Sequence, residues 1–340
     1  MGTLNDMQAR ARREDLDRAK GLGIALVVIG HIVAKTPPQG NEWYVVLHTA
    51  LYQFHMPFFM YLSGYVTFLS GAARTAPAAW PKLVASRAYR LLLPFFVFGL
   101  ATVAGKMIVS RFIHIDSPPS SVTEALGGLF WDTDRSPAIS VWYIAVLFVF
   151  CVATPLILRL LGNRTRALFV LGAVLCSLRL PHVMYLDTIA HFYLFFILGG
   201  MAADAGQGWL DFVDRFTWLS LGALLLAVIA VLGPLDGLSR ISKLLICGSI
   251  SMPALHGLIR KPIFSDSRML LTLGTFSFVI YLLNTPCIGL TKGMLLKVAS
   301  WDGANFLIFA PCLTVAGLLG PILIKRWLLR PLGPLDRITN

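Results

Sequence analysis

The chain has 340 residues, 56% of them hydrophobic and only 14% charged, and its mean hydropathy is +0.72. Soluble domains carry about 25% charged residues, so this composition excludes a soluble globule: a fold of this size has too little interior to hide the apolar excess. The formal net charge of +12 would suit nucleic acid, but the basic residues lie in short clusters between apolar runs, as membrane orientation demands, and no nucleic-acid partner is expected.

Apolar runs of membrane-spanning length fall at roughly 21–36, 46–69, 91–111, 141–160, 167–181, 188–203, 217–233, 241–259, 270–291 and 304–325. Glycine, proline and aromatic residues within them rule out the alternating pattern of a β-barrel. The expected fold is an all-α integral membrane protein, a bundle of about ten transmembrane helices. Residues 1–20 form a cytoplasmic N-terminal segment, 21–326 the transmembrane domain and 327–340 a cytoplasmic C-terminal tail. No A-x-A-like site follows the first run, so no removable signal peptide is expected.

Lysine and arginine set the orientation. With the N-terminus in the cytoplasm, twenty of them fall on inner segments and eight on outer ones, with Lys106 inside a span. Both termini therefore face the cytoplasm, in a multi-pass protein of the plasma (inner) membrane. The longest outer loop, about 112–140, carries Asp116, Glu124, Asp132 and Asp134. Loops of that length usually serve function, and substrate entry is expected there. The five cysteines fall one to an apolar run with no ligand spacing, as small core residues do, and no metal is expected.

Two histidines stand inside apolar runs, His31 in the first and His55 in the second. Ionisable groups at membrane depth are costly and mark functional sites. His31 lies eleven residues after Lys20, about 16 Å along a helix, past the middle of a hydrocarbon layer of about 30 Å. His55 lies about 14 Å into the returning span, at similar depth, so the two are expected to share a cavity. A neutral imidazole accepts a proton from a hydroxyl at neutral pH; the plain alternative is a histidine that hydrogen-bonds neighbouring helices together. Asp17 and Lys20, on the same helix as His31, favour function, and Asp17 joins the two histidines as a catalytic candidate.

At the inner face, Arg87 and Arg90 precede Leu91-Leu92-Leu93-Pro94. With Lys20 they make three cations suited to a phosphorylated ligand, although a positive-inside anchor needs no more than this. Ser63, Trp142 and Tyr143, near helix ends, are candidates for touching substrate, with packing and interfacial belts as the alternative. His48, His114, His182, His191 and His256 have no evident partner in the sequence, and His191 is the one to watch. The H-E-x-x-H, G-x-x-x-x-G-K-[ST] and G-x-S-x-G signatures of soluble enzymes are absent.

The stretch Asp17-x-x-Lys20-Gly21-x-x-Ile24-x-x-Val27-Val28-x-Gly30-His31 resembles the first-helix motif of the membrane-bound acyltransferase-3 family, closest to its fucose 4-O-acetylase-like branch. Phe54-His55-Met56-Pro57-Phe58-Phe59-x-x-x-Ser63-Gly64-Tyr65 resembles the second-helix motif. Arg87-x-x-Arg90-Leu91-x-x-Pro94, Val141-Trp142-Tyr143, Phe195-Phe196-x-Leu198-Gly199 and Phe276-Ser277-Phe278-x-Ile280-Tyr281-Leu282-Leu283 follow in the family's order. Lys20 stands where many members have arginine. Asn284 stands where many have histidine, which leaves the late motif without an evident role.

The resemblance implies an O-acyltransferase that moves an acyl group, commonly acetyl from acetyl-CoA, onto a hydroxyl of an extracytoplasmic carbohydrate: an exopolysaccharide, a lipopolysaccharide or a lipid-linked glycan. It makes His31 the essential histidine, acting as general base or carrying the acyl group itself. Lys20, Arg87 and Arg90 are then expected to hold the phosphate end of CoA, and His55 to orient the acceptor. A polytopic transporter is the competing class, since buried ionisable residues suit it equally; it would show inverted repeats, which the sequence does not clearly contain.

Overall fold

The computed structural model describes residues 2–33, 36–113, 121–131, 133 and 141–339, and of residues 2–13 and Phe130 the backbone alone. Among the described residues the structure is helical, with no strand. In chain order the helices are α1 (Gly2–His31), α2 (Glu42–Tyr52), α3 (His55–Leu69), α4 (Trp80–Arg87), α5 (Leu93–Val109), α6 (Val122–Phe130), α7 (Trp142–Leu160) and α8 (Thr165–Ser177). There follow α9 (Leu186–Ala205), α10 (Gln207–Leu232), α11 (Arg240–Ile259), α12 (Pro262–Ser265), α13 (Arg268–Thr275), α14 (Ser277–Leu295), α15 (Phe306–Ile324) and α16 (Pro334–Ile338).

Seven helical stretches among the described residues are long and apolar enough to cross a membrane: Pro77–Val109, Trp142–Leu160, Leu186–Ala205, Gln207–Leu232, Arg240–Ile259, Ser277–Leu295 and Gly303–Leu332. The chain is a multi-pass integral membrane protein. The other three apolar runs take different forms, each for a local reason. The first belongs to α1, whose N-terminal half is charged and whose apolar half closes at His31, a few residues before Pro37-Pro38. The second is broken at Gln53-Phe54 into α2 and α3. The fifth makes the short helix α8, 13 residues long. The long loop expected outside contains α6, started by Ser121, whose hydroxyl accepts the Glu124 amide at 3.1 Å, a serine N-cap. His114, Asp116, Asp132, Asp134 and Lys35 lie outside the described residues.

The chain divides into two compact units. The first comprises Met1–Val27, Val46–Ser70 and Phe195–Ser277; the second comprises Val28–Val45, Gly71–Leu194 and Phe278–Asn340.

In the first unit, glycines let helix backbones touch. A Cβ on Gly64 of α3 would stand 1.8 Å from the Phe196 carbonyl oxygen, and one on Gly199 of α9 would stand 2.0 Å from that of Tyr61. The α1–α13 crossing repeats the pattern: a Cβ on Gly274 would stand 1.7 Å from the Asp17 carbonyl oxygen, and one on Gly21 would stand 2.0 Å from that of Leu270. Lipid offers helices no hydrophobic drive to associate, so close backbone approach through small residues supplies the packing. Arg260, just past α11, binds Asp214 of α10 in a two-pronged contact (2.8 and 2.8 Å) and Asp15 of α1 at 2.7 Å. The Asp214 hydrogen bond raises the guanidinium above its ordinary pKa, so this knot keeps its cation at any working pH.

In the second unit the loop after α1 is tied to the turn before α15. Gln39 donates its amide to Asp302 at 2.8 Å, and the Asn41 side chain donates to the Gly303 carbonyl at 2.9 Å. Lys292, one of the cations expected outside, is buried with its ammonium 3.8 Å from the centre of the Trp301 ring. Such a cation–π contact partly replaces lost water. The segment after α15 is folded rather than trailing. Buried Lys325 pairs with the Asp336 carboxylate at 2.9 Å and donates to the Asp336 carbonyl and the Thr339 hydroxyl at 2.8 and 2.7 Å. Removing one partner of a buried pair strands the other, so Lys325→Ala is expected to release residues 330–339. Limited trypsin digestion should then cut at Arg337 at least tenfold faster than in the native chain; an unchanged rate would show that Lys325 does not hold the segment.

Candidate active site

His31 is the last residue of α1, in the second unit, and its Nδ1 lies 2.7 Å from the Asn284 side-chain oxygen on α14. Asn284 is wholly buried. Its amide nitrogen donates back to the Ile280 and Tyr281 carbonyls of its own helix, both at 2.8 Å. The neighbouring Thr285 hydroxyl donates to the same Asn284 oxygen at 3.2 Å and stands 3.5 Å from His31 Nδ1. One turn earlier on α14, the Tyr281 hydroxyl accepts the Tyr143 backbone amide at 3.1 Å, and the two rings meet edge to face at 5.3 Å. That amide belongs to the first turn of α7, where N–H groups have no partner within the helix. The late motif thus does two things: Tyr281 closes the start of α7, and Asn284 holds His31.

An apolar cavity of about 220 Å³ lies between α5 and α14, with Phe98, Thr102, Lys106, Leu283, Thr285 and Pro286 among its walls. Thr285 therefore belongs both to the cavity wall and to the group around His31. Trp142 packs on Phe192 with ring centres 5.1 Å apart, and Tyr143 is buried beside Tyr281.

Arg87 ends α4 and Arg90 sits on the π-helical turn Ala88–Leu92 that leads into α5. Pro94 has no N–H to give the carbonyl four residues back, and the helix widens just before it. Turns of this kind recur at functional sites. Arg87 is half-buried and Arg90 exposed.

The remaining predicted residues lie in the first unit. Lys20 pairs with Asp17 at 3.0 Å, both half exposed. Exposed pairs contribute about 0–1 kcal/mol, too little to prevent exchange for a phosphate. His55 opens α3, and its Nδ1 donates to the Leu51 carbonyl at 2.7 Å. A carbonyl only accepts, so Nδ1 carries a proton. His55 thereby caps the break between α2 and α3, in a stack where His48 lies on Tyr52 (4.2 Å) and Tyr52 meets His55 edge-on (4.8 Å). Ser63 gives its hydroxyl proton to the Phe59 carbonyl of its own helix at 2.9 Å.

His182 and His256, like His48, acquire partners that the sequence does not announce. His182 lies 2.8 Å from the Asp187 carboxylate in the second unit. In the first, buried His256 receives the Tyr61 hydroxyl at 2.6 Å while the Trp209 N–H points at both, 2.7 Å from Tyr61 and 3.3 Å from His256. No local pattern announces the contacts of Tyr61 with His256 and Trp209, which join residues 195 and 148 positions apart.

A model of the acyltransferase-3 family, described as an acyltransferase domain, matches residues 13–326. The chain belongs to the acyltransferase-3 family. Among curated proteins, this acyltransferase-family chain is similar to the nodulation protein NolL of Mesorhizobium japonicum, with 28% identity over 219 residues, 62% of this chain and 53% of that protein. It is also similar to the nodulation protein NolL of Sinorhizobium fredii, with 26% identity over 200 residues, 58% and 50% of the two chains. The matched region spans about half the length of these relatives. No solved structure matches it.

Proposed function

We propose that this family member is an O-acyltransferase of the plasma membrane that takes an acyl group, acetyl by preference, from cytoplasmic acyl-CoA and places it on a hydroxyl of an extracytoplasmic or lipid-linked carbohydrate. The observation that carries this reading is the pairing of His31, at the end of α1, with a buried and fully hydrogen-bonded Asn284 beside an apolar cavity, in a chain whose family match runs from residue 13 to 326. A histidine held in one orientation meets the requirement for general-base work. The closer likeness to the fucose 4-O-acetylase-like branch, and an N-terminus in the cytoplasm, belong to the same proposal.

In this reading His31 takes the proton of the acceptor hydroxyl as its oxygen attacks the thioester carbonyl. The tetrahedral intermediate then collapses, the C–S bond breaks and the imidazolium returns the proton to the departing CoA sulfur. The products are an ester and free CoA. Lys20, Arg87 and Arg90 hold the phosphates of CoA, Asp17 keeps Lys20 in place until the donor arrives, and His55 steadies the acceptor with its Nε2. Trp142, Tyr143 and Ser63 contribute to the acceptor surface.

Loss of a charge-assisted hydrogen bond costs about 1.5–3 kcal/mol, and 1.4 kcal/mol is a factor of ten. Lys20→Ala should therefore raise KM for acetyl-CoA at least tenfold, while Lys20→Arg stays within about threefold of native. Equal KM values in the two variants would remove the anchor role. The reaction itself is tested by mass spectrometry of surface carbohydrate from cells with and without the protein. An acyl ester is expected only in its presence; identical spectra from a host that supplies the acceptor would overturn the proposal.

A further inference from the structure

Asn284 is anchored in a way that leaves its side chain one usable orientation. Turned the other way, its oxygen would face the Ile280 and Tyr281 carbonyls at 2.8 Å each, two acceptors against an acceptor. The nitrogen must point at those carbonyls, and the oxygen at His31. An amide oxygen accepts only. It takes the Thr285 hydroxyl at 3.2 Å and His31 Nδ1 at 2.7 Å, so His31 Nδ1 must be the donor.

We propose that Asn284 is a positioning residue that fixes His31 as the Nδ1–H tautomer, so that Nε2 is the nitrogen that accepts the proton in the transfer reaction. The catalytic part of this statement rests on the function proposed above; the tautomer does not. The partner of one ring nitrogen decides which nitrogen carries the lone pair, and the same logic holds His55 as Nδ1–H on the Leu51 carbonyl. A carboxylate more often does this work. A neutral amide does it here because its own N–H groups are spent on the α14 backbone and it needs no counter-charge at a site that is costly to charge. Thr285 completes the arrangement by filling the second lone pair of the Asn284 oxygen.

The direct test is independent of activity. Full-length protein labelled with 15N-histidine is examined by NMR in lipid at a pH where the imidazoles are neutral, with the His31 signals identified by their loss in His31→Gln. Native protein should show a protonated Nδ1 and an unprotonated Nε2 for His31, and Asn284→Leu should lose that preference. A protonated Nε2 in the native chain, or an unchanged tautomer in Asn284→Leu, would overturn the assignment.

Kinetics separate positioning from mere support. Removing the partner that orients a metal-bound histidine typically costs 10–100-fold, and a loss of the same order is expected for a histidine that must present one nitrogen to a hydroxyl. Asn284→Leu should lower the maximal rate of label transfer from acetyl-CoA to membrane glycan by that factor, with KM for acetyl-CoA unchanged. A leucine variant at the native rate would defeat the positioning role. Full activity in His31→Ala would instead defeat the function proposed for the site and leave the tautomer result standing.

Discussion

His31→Ala should lower the maximal rate of acyl transfer by about 10²–10⁴-fold, the usual contribution of a general base, while the amount of membrane-inserted protein stays at the native level. Structural loss at this position is small for physical reasons. His31 is the last residue of α1 and only partly buried, and its departure leaves an Asn284 oxygen that still accepts from Thr285. Stability and rate should therefore separate. Initial rates of transfer from radiolabelled acetyl-CoA, divided by the amount of protein in the membrane, measure the effect. Transfer at a tenth of the native rate or better would remove His31 from the chemistry.

The second large effect is structural. Gly64→Ala and Gly199→Ala each place a methyl group about 2 Å from a carbonyl oxygen of the opposing helix. No flexible side chain stands there to yield, so the helices must part. Overpacking costs about 1–3 kcal/mol and sometimes more, and backbone against backbone falls at the top of that range. Each variant should melt well below the native chain in detergent, and the pair together should fail to accumulate. Gly222→Ala is the control, since a Cβ there meets nothing within 4 Å. Native melting temperatures in Gly64→Ala and Gly199→Ala would mean that α3 and α9 are not held by backbone contact.

What could be read from the sequence follows from how the bilayer acts on a chain. Membrane thickness imposes span length, so the helical membrane fold was visible without a structure, and the cost of burying an ionisable group is what singled out His31 as a candidate. Three features were hidden. The break at Gln53-Phe54 is hidden because both sides of it are apolar and only the His55–Leu51 hydrogen bond reveals where one helix stops. Gly64 and Gly199 look like any other membrane glycines until their helices cross. Asn284 appears as a departure from the family pattern until α14 brings it to His31 across 253 residues. Contacts of that separation leave no periodic trace, because nothing in the local chain has to change to accommodate them.

The central claim, that His31 moves an acyl group from a cytoplasmic thioester to a carbohydrate hydroxyl, is tested most directly in sealed inverted membrane vesicles. Radiolabelled acetyl-CoA is supplied to the exposed cytoplasmic face, and alkali-labile label is counted in the vesicle carbohydrate. The account predicts label that accumulates with the native chain and not with an equal amount of His31→Ala. Carbohydrate that crosses the membrane in both, with no label bound in either, would contradict it and make the protein a transporter.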